Sequence, residues 1–348
     1  MKINTKRILI GGLGFGSACI ISFLPFLGGT QISFSALDRS AIDTSGNVYL
    51  PVISNANPAE DIPPTPIPPG EEEGWLAYLN YYRALAVLPP VDEMAGWNTG
   101  AWYHSRYMGK NDYVGHSEDP ENEWYTPEGD SAARSSNLLA SSSTSVTDQD
   151  AIDLWMQAPF HGVGILDPQL HLVGFGSYRE EDGGLQMGAA VDVIRGLGEP
   201  LLTSGFPVTW PADGMTVPLA SYIGEYPDPL AGCEGYSPPT GLPIILQIGP
   251  GNLTPEVTSH TFMQNGVSRN HCVFDESTYS NPDVSARDLG RAILDARDAI
   301  VLIPRQPLLP GMIYTVSMTV SGQSYTWSFS VSDTARQAGA LTGEVVLP

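Results

Sequence analysis

Four residues in the first half of this chain have the types and spacing for acid–base or metal chemistry: His104, His116, Glu118 and His161. His116 and Glu118 are two apart, so an extended segment points both to one side. His161 lies well downstream and has to reach them in space. Two imidazoles and a carboxylate suffice for a zinc site with an open position. They also suffice for general acid–base work near neutral pH. The competing reading is that His116 and His161 hydrogen-bond backbone carbonyls and pin the long loop. His104 shares a helical face with Trp97, Ala101 and Met108, where a lone histidine reads first as a satisfied core residue. Asp119, Glu121, Glu123 and Glu128 could hold calcium, but they lack EF-hand spacing.

Helices and a hairpin have to position these groups. Trp75, Leu79, Tyr82 and Ala86 form a helical stripe that Pro89-Pro90 ends. A second helical pattern runs from about Asp92 to Lys110. Thr147 to Asp150 reads as a capping box before Ala151–Met156. Val173–Arg179 and Leu185–Arg195 flank Glu181-Asp182-Gly183-Gly184, a hairpin signal. Helices first and an antiparallel hairpin after them argue an α+β fold. The stretch from Gly115 to Ser145 is polar and irregular.

Beyond Gly198, Pro, Gly and short alternating apolar runs take over. Leu242–Ile248, Ala299–Ile303, Ile313–Val320 and Gln323–Val331 read as strands, the last two about a Ser321-Gly322 turn, with a short helix at Ala286–Ala296. An all-β sandwich is the natural reading. The domains expected are an export signal at 1–36, a Pro-rich linker at 37–70, an α/β-layered domain at 71–198, a β-sandwich at 199–333 and a tail at 334–348. Two separate cores are expected.

The formal net charge of -22 repels phosphate backbones and speaks against nucleic-acid binding. Lys2, Lys6 and Arg7 precede an apolar run from Ile8 to about Leu27, followed by small residues at Ser33, Ser35 and Ala36. That is an export signal, or a membrane anchor if it stays uncleaved, and the only expected membrane contact. Cys19 lies inside the run. Cys233 and Cys272 remain as an even pair in an exported chain, most simply a disulfide. There is no Gly-x-Ser-x-Gly elbow, His-Glu-x-x-His, P-loop or Rossmann glycine pattern.

In order, the chain shows Asn80 and Arg83, His104-Ser105, Gly115-His116-Ser117-Glu118, Ser136-Asn137-Leu138, Trp155-Met156, Pro159-Phe160-His161, Ile165-Leu166 and Val173-Gly174-Phe175-Gly176. This series resembles the CAP domain, or SCP-like extracellular domain, of cysteine-rich secretory proteins, antigen 5 and plant pathogenesis-related proteins, in its bacterial form. The resemblance implies a CAP-type α-β-α sandwich, here followed by a β-sandwich similar to immunoglobulin-like accessory domains. It also implies a cavity lined by two histidines and two acids, with His116 and His161 as the histidines. The family's Gly-Glu-Asn-Ile element falls on Ser135-Ser136-Asn137-Leu138, so Ser136 stands where a cavity glutamate would.

His104, His116, Glu118, Ser136 and His161 are thus the expected cavity. His116 and His161 are the expected ligands of any zinc or other divalent cation. His116, Glu118 and His161 are the candidates for any catalysis. The function expected is extracellular binding of a small apolar ligand or a surface partner. The alternatives are a metal-assisted hydrolase of peptides or cell-envelope material, and a structural surface module with a vestigial cavity.

Overall fold

A computed structural model describes residues 64–200, 205–336 and 344–348. The expected export signal and most of the linker lie outside the described residues. The first half runs α1 (Gly74–Leu85), β1 (Asp92–Glu93), α2 (Ala95–Asn111), α3 (Pro127–Ala133), β2 (Ser136–Ser141), α4 (Asp148–Gln157), α5 (Pro159–Ile165), β3 (Leu172–Val173), β4 (Phe175–Arg179) and β5 (Met187–Asp192). The second half runs β6 (Val208–Trp210), β7 (Thr216–Leu219), β8 (Ser221–Tyr222), β9 (Thr240–Gly241), β10 (Ile244–Gln247), β11 (Val257–Gln264), β12 (Val267–Ser268), β13 (His271–Phe274), α6 (Val284–Asp295), β14 (Ala299–Pro304), β15 (Ile313–Val320), β16 (Gln323–Arg336) and β17 (Val345–Val346).

The first half has three layers. Its antiparallel sheet has the order β17-β2-β5-β4. Alternation along the strands sends Leu138 and Ala190 toward Ala101 and Met108 of α2. It sends Leu139, Ala189 and Val191 into the core with α1, α4 and α5. Helix α2 lies so close that glycine is required beneath it. A Cβ on Gly176 would sit 2.3 Å from the Trp102 nitrogen, and one on Gly188 would sit 2.5 Å from the Ser105 oxygen. The Ser105 hydroxyl bridges this contact, donating to the carbonyls of Ala101 or Gly176 at 2.8 and 2.9 Å.

Local chemistry fixes the helix ends and the loops between them. Thr147 and Asp150 form the expected capping box of α4. Thr126 caps α3 through Gly129 N–H at 2.9 Å. Arg83 is fully buried and donates to the carbonyls of Pro89, Ile165 and Asp167 at 2.9, 2.7 and 3.0 Å. Burial lowers its pKa to about 10, partly opposed by Asp167. Asn80 reads both backbone groups of Val91, at 3.0 and 2.8 Å.

The second half holds the sheets β13-β14-β10-β6 and β12-β11-β15-β16-β7, with β7 parallel to β16, and a two-stranded β8-β9 pair. The turn between β15 and β16 has φ of 49° at Ser321 and 83° at Gly322, the left-handed pair that a two-residue hairpin uses. Asp283 caps α6 through Ala286 N–H at 3.0 Å. Cys233 and Cys272 form the expected disulfide, with Cα atoms 5.8 Å apart.

Two expectations are corrected. The cores are not separate: buried residues of both halves form one continuous cluster. Ala212 N–H donates to Leu85 O at 3.0 Å, Gln247 donates to Leu166 O at 2.9 Å, and Trp210 meets Tyr82 edge-on at 5.7 Å. The stretch after 333 is also no free tail. Strand β16 continues to Arg336, and β17 joins the first sheet beside β2. The hydrophobic positions that look like two independent patterns in sequence face each other, and burying both against one another removes more apolar surface from water. Among the described residues no helix is long and apolar enough to cross a membrane.

Candidate functional site

His104 projects from α2 and is fully buried. Its Nε2 lies 3.0 Å from the carbonyl of Gly115, and its Nδ1 lies 3.0 Å from Oε1 of Glu118. A carbonyl only accepts, so Nε2 carries a hydrogen. The other oxygen of Glu118 accepts Thr126 N–H at 3.0 Å. This pair fastens the loop after α2 to the helix, which is the core role expected of His104.

His116 does not pair with Glu118. Its Nδ1 donates to the carbonyl of Ala133 at 2.9 Å, and its Nε2 faces the carbonyl of Pro348 at 3.5 Å. The ring keeps an exposed edge. Its pKa is nonetheless lowered, first by loss of hydration and then by the nearby imidazoles of His161 and His104, against the two carbonyls. The neutral ring with its proton on Nδ1 leaves Nε2 as an acceptor turned toward another acceptor. A donor brought there by a ligand would complete it.

His161 lies in α5, and Asn137 of β2 holds its carbonyl at 3.0 Å. Its Nδ1 is 2.7 Å from Oε2 of Glu225. That carboxylate, whose side chain has no exposed surface, also accepts the N–H groups of Phe160 and His161 at 3.2 and 3.3 Å. Burial raises the pKa of Glu225, opposed by His161 and the two N–H groups. Sequence reasoning missed Glu225. The one available signal was indirect: Ser136 leaves the first half an acid short, so an acid from elsewhere had reason to come.

Ser136 is buried at the head of β2, and its hydroxyl has no hydrogen-bond partner among the described residues. Each expected cavity residue is therefore placed, but the set divides. His104 and Glu118 bind each other. His161 takes Glu225. His116 stands between them electrically and bonds neither.

Glu118 is committed to His104 and Thr126, and both ring nitrogens of His104 are bonded. His116 and His161 bond through Nδ1 and leave two Nε2 atoms, fewer than the three protein ligands of a zinc site. Among the described residues no group of three or more His, Cys, Asp or Glu is arranged to hold a metal. Asp119 and Glu121 share a local turn, Asp119 accepting Glu121 N–H at 3.0 Å, and gather no calcium ligands. His260 and His271 meet at 2.8 Å in the second half. A cavity of about 660 Å³ also opens there among Phe262, Arg269, Arg305 and Tyr314, lined by neither histidine nor carboxylate. The histidine site carries more chemistry and is the better candidate.

No curated protein and no solved structure matches the chain. Residues 76–190 match the family model described as CAP, the cysteine-rich secretory protein family. That span runs from within α1 to within β5 and holds His104, His116, Glu118 and His161, though not Glu225. Residues 76–190, within this three-layered first half, thus form a CAP domain of the cysteine-rich secretory protein family.

Proposed function

We propose that this protein is an exported binding protein whose CAP domain takes a small apolar ligand or a surface partner at the His116–His161 site, with the strand-rich half as an immunoglobulin-like accessory domain. The observation that carries this reading is the use of the site's acid–base groups. Both carboxylates, Glu118 and Glu225, are committed to an imidazole and to backbone N–H groups. Carboxylates so bonded hold the shape of the site and orient its rings rather than acting as bases themselves. The disulfide and the acidity suit an extracytoplasmic setting.

Two measurements test it. Titration with the neutral dye Nile red is expected to saturate at one site and to weaken at least five-fold in His116→Trp. Casein and p-nitrophenyl acetate are expected to give no turnover with or without added zinc. Turnover that disappears in His161→Ala would replace the binding reading with the hydrolase.

A further inference from the structure

Without β17, strand β2 would be the edge of the CAP sheet. All six of its residues are buried, yet only β5 pairs with it from its own half. Such an edge presents a row of unpaired N–H and C=O groups, a template for another strand. The chain's own segment Glu344–Pro348 takes this place. Val345 and Val346 align antiparallel with Ser141 and Ala140. Ser142 N–H donates to Glu344 O at 3.0 Å, and Glu344 N–H donates to the Ser142 hydroxyl at 2.9 Å. Leu347 is buried at 6% exposure. Tyr226 N–H donates to Leu347 O at 2.9 Å, and the Pro348 carbonyl faces His116.

This is how a bound peptide looks in strand addition: the main chain gives affinity, and one apolar side chain is an anchor. The contacts come from both halves, from β2 and from Tyr226 beside Glu225. The segment lies against His116, whose Nε2 lacks a donor. It is also a short strand of two ladder residues, covalently continuous with β16. A strand this short gains little on its own and holds its place because it is tethered.

We propose that the β2 edge and the adjoining His116 site form a receptor for an extended apolar peptide, filled in cis by Glu344–Pro348 and opened when a peptide strand from a partner displaces that segment. This rests on the binding reading given above and names the ligand class for the same site. The cis segment competes at an effective concentration on the order of millimolar, so it weakens binding in trans by the same factor by which it is closed.

The test uses the full chain and a fluorescein-labelled Glu-Val-Val-Leu-Pro peptide, followed by fluorescence anisotropy. Leu347→Asp removes the anchor, and Val346→Pro removes a ladder N–H while leaving the anchor. Urea unfolding and circular dichroism establish that each variant is folded. Both variants are expected to bind the peptide at least ten-fold more tightly than wild type, and neither is expected to bind Glu-Val-Val-Asp-Pro. Equal binding of the two peptides, or none by a folded variant, overturns the proposal. So does concentration-dependent dimerisation of the variants, which would make a second copy the occupant. Nile red separates the two levels of inference. Saturable dye binding to Leu347→Asp without peptide binding removes the peptide alone, whereas loss of both removes the site.

Discussion

Arg336 reaches from the end of β16 to the buried carboxylate of Asp153 in α4, with Nη1 2.7 Å from Oδ2. The approach is a charge contact rather than an aligned hydrogen bond. Tyr78 donates to the other oxygen at 2.7 Å, and Tyr82 bonds the same oxygen. Burial still wins, raising the Asp153 pKa from 3.8 to about 6 despite Arg336 and both hydroxyls. The folded state thus holds this proton more tightly than the unfolded chain does. Stability from this group is full below pH 3.8 and is lost as pH rises toward 6, in total about 3 kcal/mol. Urea unfolding of wild type and Asp153→Asn at pH 4, 5, 6 and 7 is expected to show a difference that changes with pH between 4 and 6 and is flat above. Parallel curves would reject the assignment.

Glu225 supports both the ring of His161 and the start of α5. Glu225→Ala leaves the imidazole and two buried N–H groups without their acceptor, and is expected to cost about 2–4 kcal/mol. A double-mutant cycle with His161→Ala should return a coupling of about 1–3 kcal/mol. Additive effects would mean that the pair does not hold the site together.

The close seat of α2 on its sheet predicts an unusual sensitivity to one methyl group. Gly188→Ala drives a Cβ against the backbone of Ser105, which cannot rotate away as a side chain could. A loss of about 2–3 kcal/mol or more is expected in urea unfolding. An unchanged midpoint would show that the helix can lift freely.

The bridge between Cys233 and Cys272 closes a separation of 39 residues, for which chain entropy gives about 4 kcal/mol. Denatured, unreduced full chain is expected to expose one thiol, that of Cys19, and three after reduction, because the chain has three cysteines. Three thiols before reduction would exclude the bridge.

Much of this structure was legible because its period was strong. The stripe of α1, the capping box of α4, the β4–β5 hairpin and the Ser321-Gly322 turn all carry local signals, and each is found near its expected place. By contrast, α3 and β2 fall inside the stretch that reads as an irregular loop. Helix α3 has seven residues, too few to show a period, and Ser136-Asn137-Leu138-Leu139-Ala140-Ser141 is polar at both ends although every residue is buried. Asn137 finds its partner in no local window, bonding the carbonyl of His161, and the Ser136 hydroxyl finds none among the described residues. The pairing of His161 with Glu225 spans 64 positions and two halves of the chain, with no spacing rule to announce it. Residue types put His104, His116, Glu118 and His161 forward; who bonds whom was decided by the packing of the halves.

The β2–β17 ladder also imposes an order of events. Ser142 and Glu344 bond across 202 positions. A chain that emerges from its N-terminal side can assemble helices and the β4–β5 hairpin early, but the β2 edge stays bare until residues about 200 positions downstream have been delivered. During that interval the nascent molecule displays a sticky border to every neighbour. Closure of this sheet edge therefore waits for residues 344–346, and a molecule interrupted before residue 344 would be a ready target for chaperones and proteases.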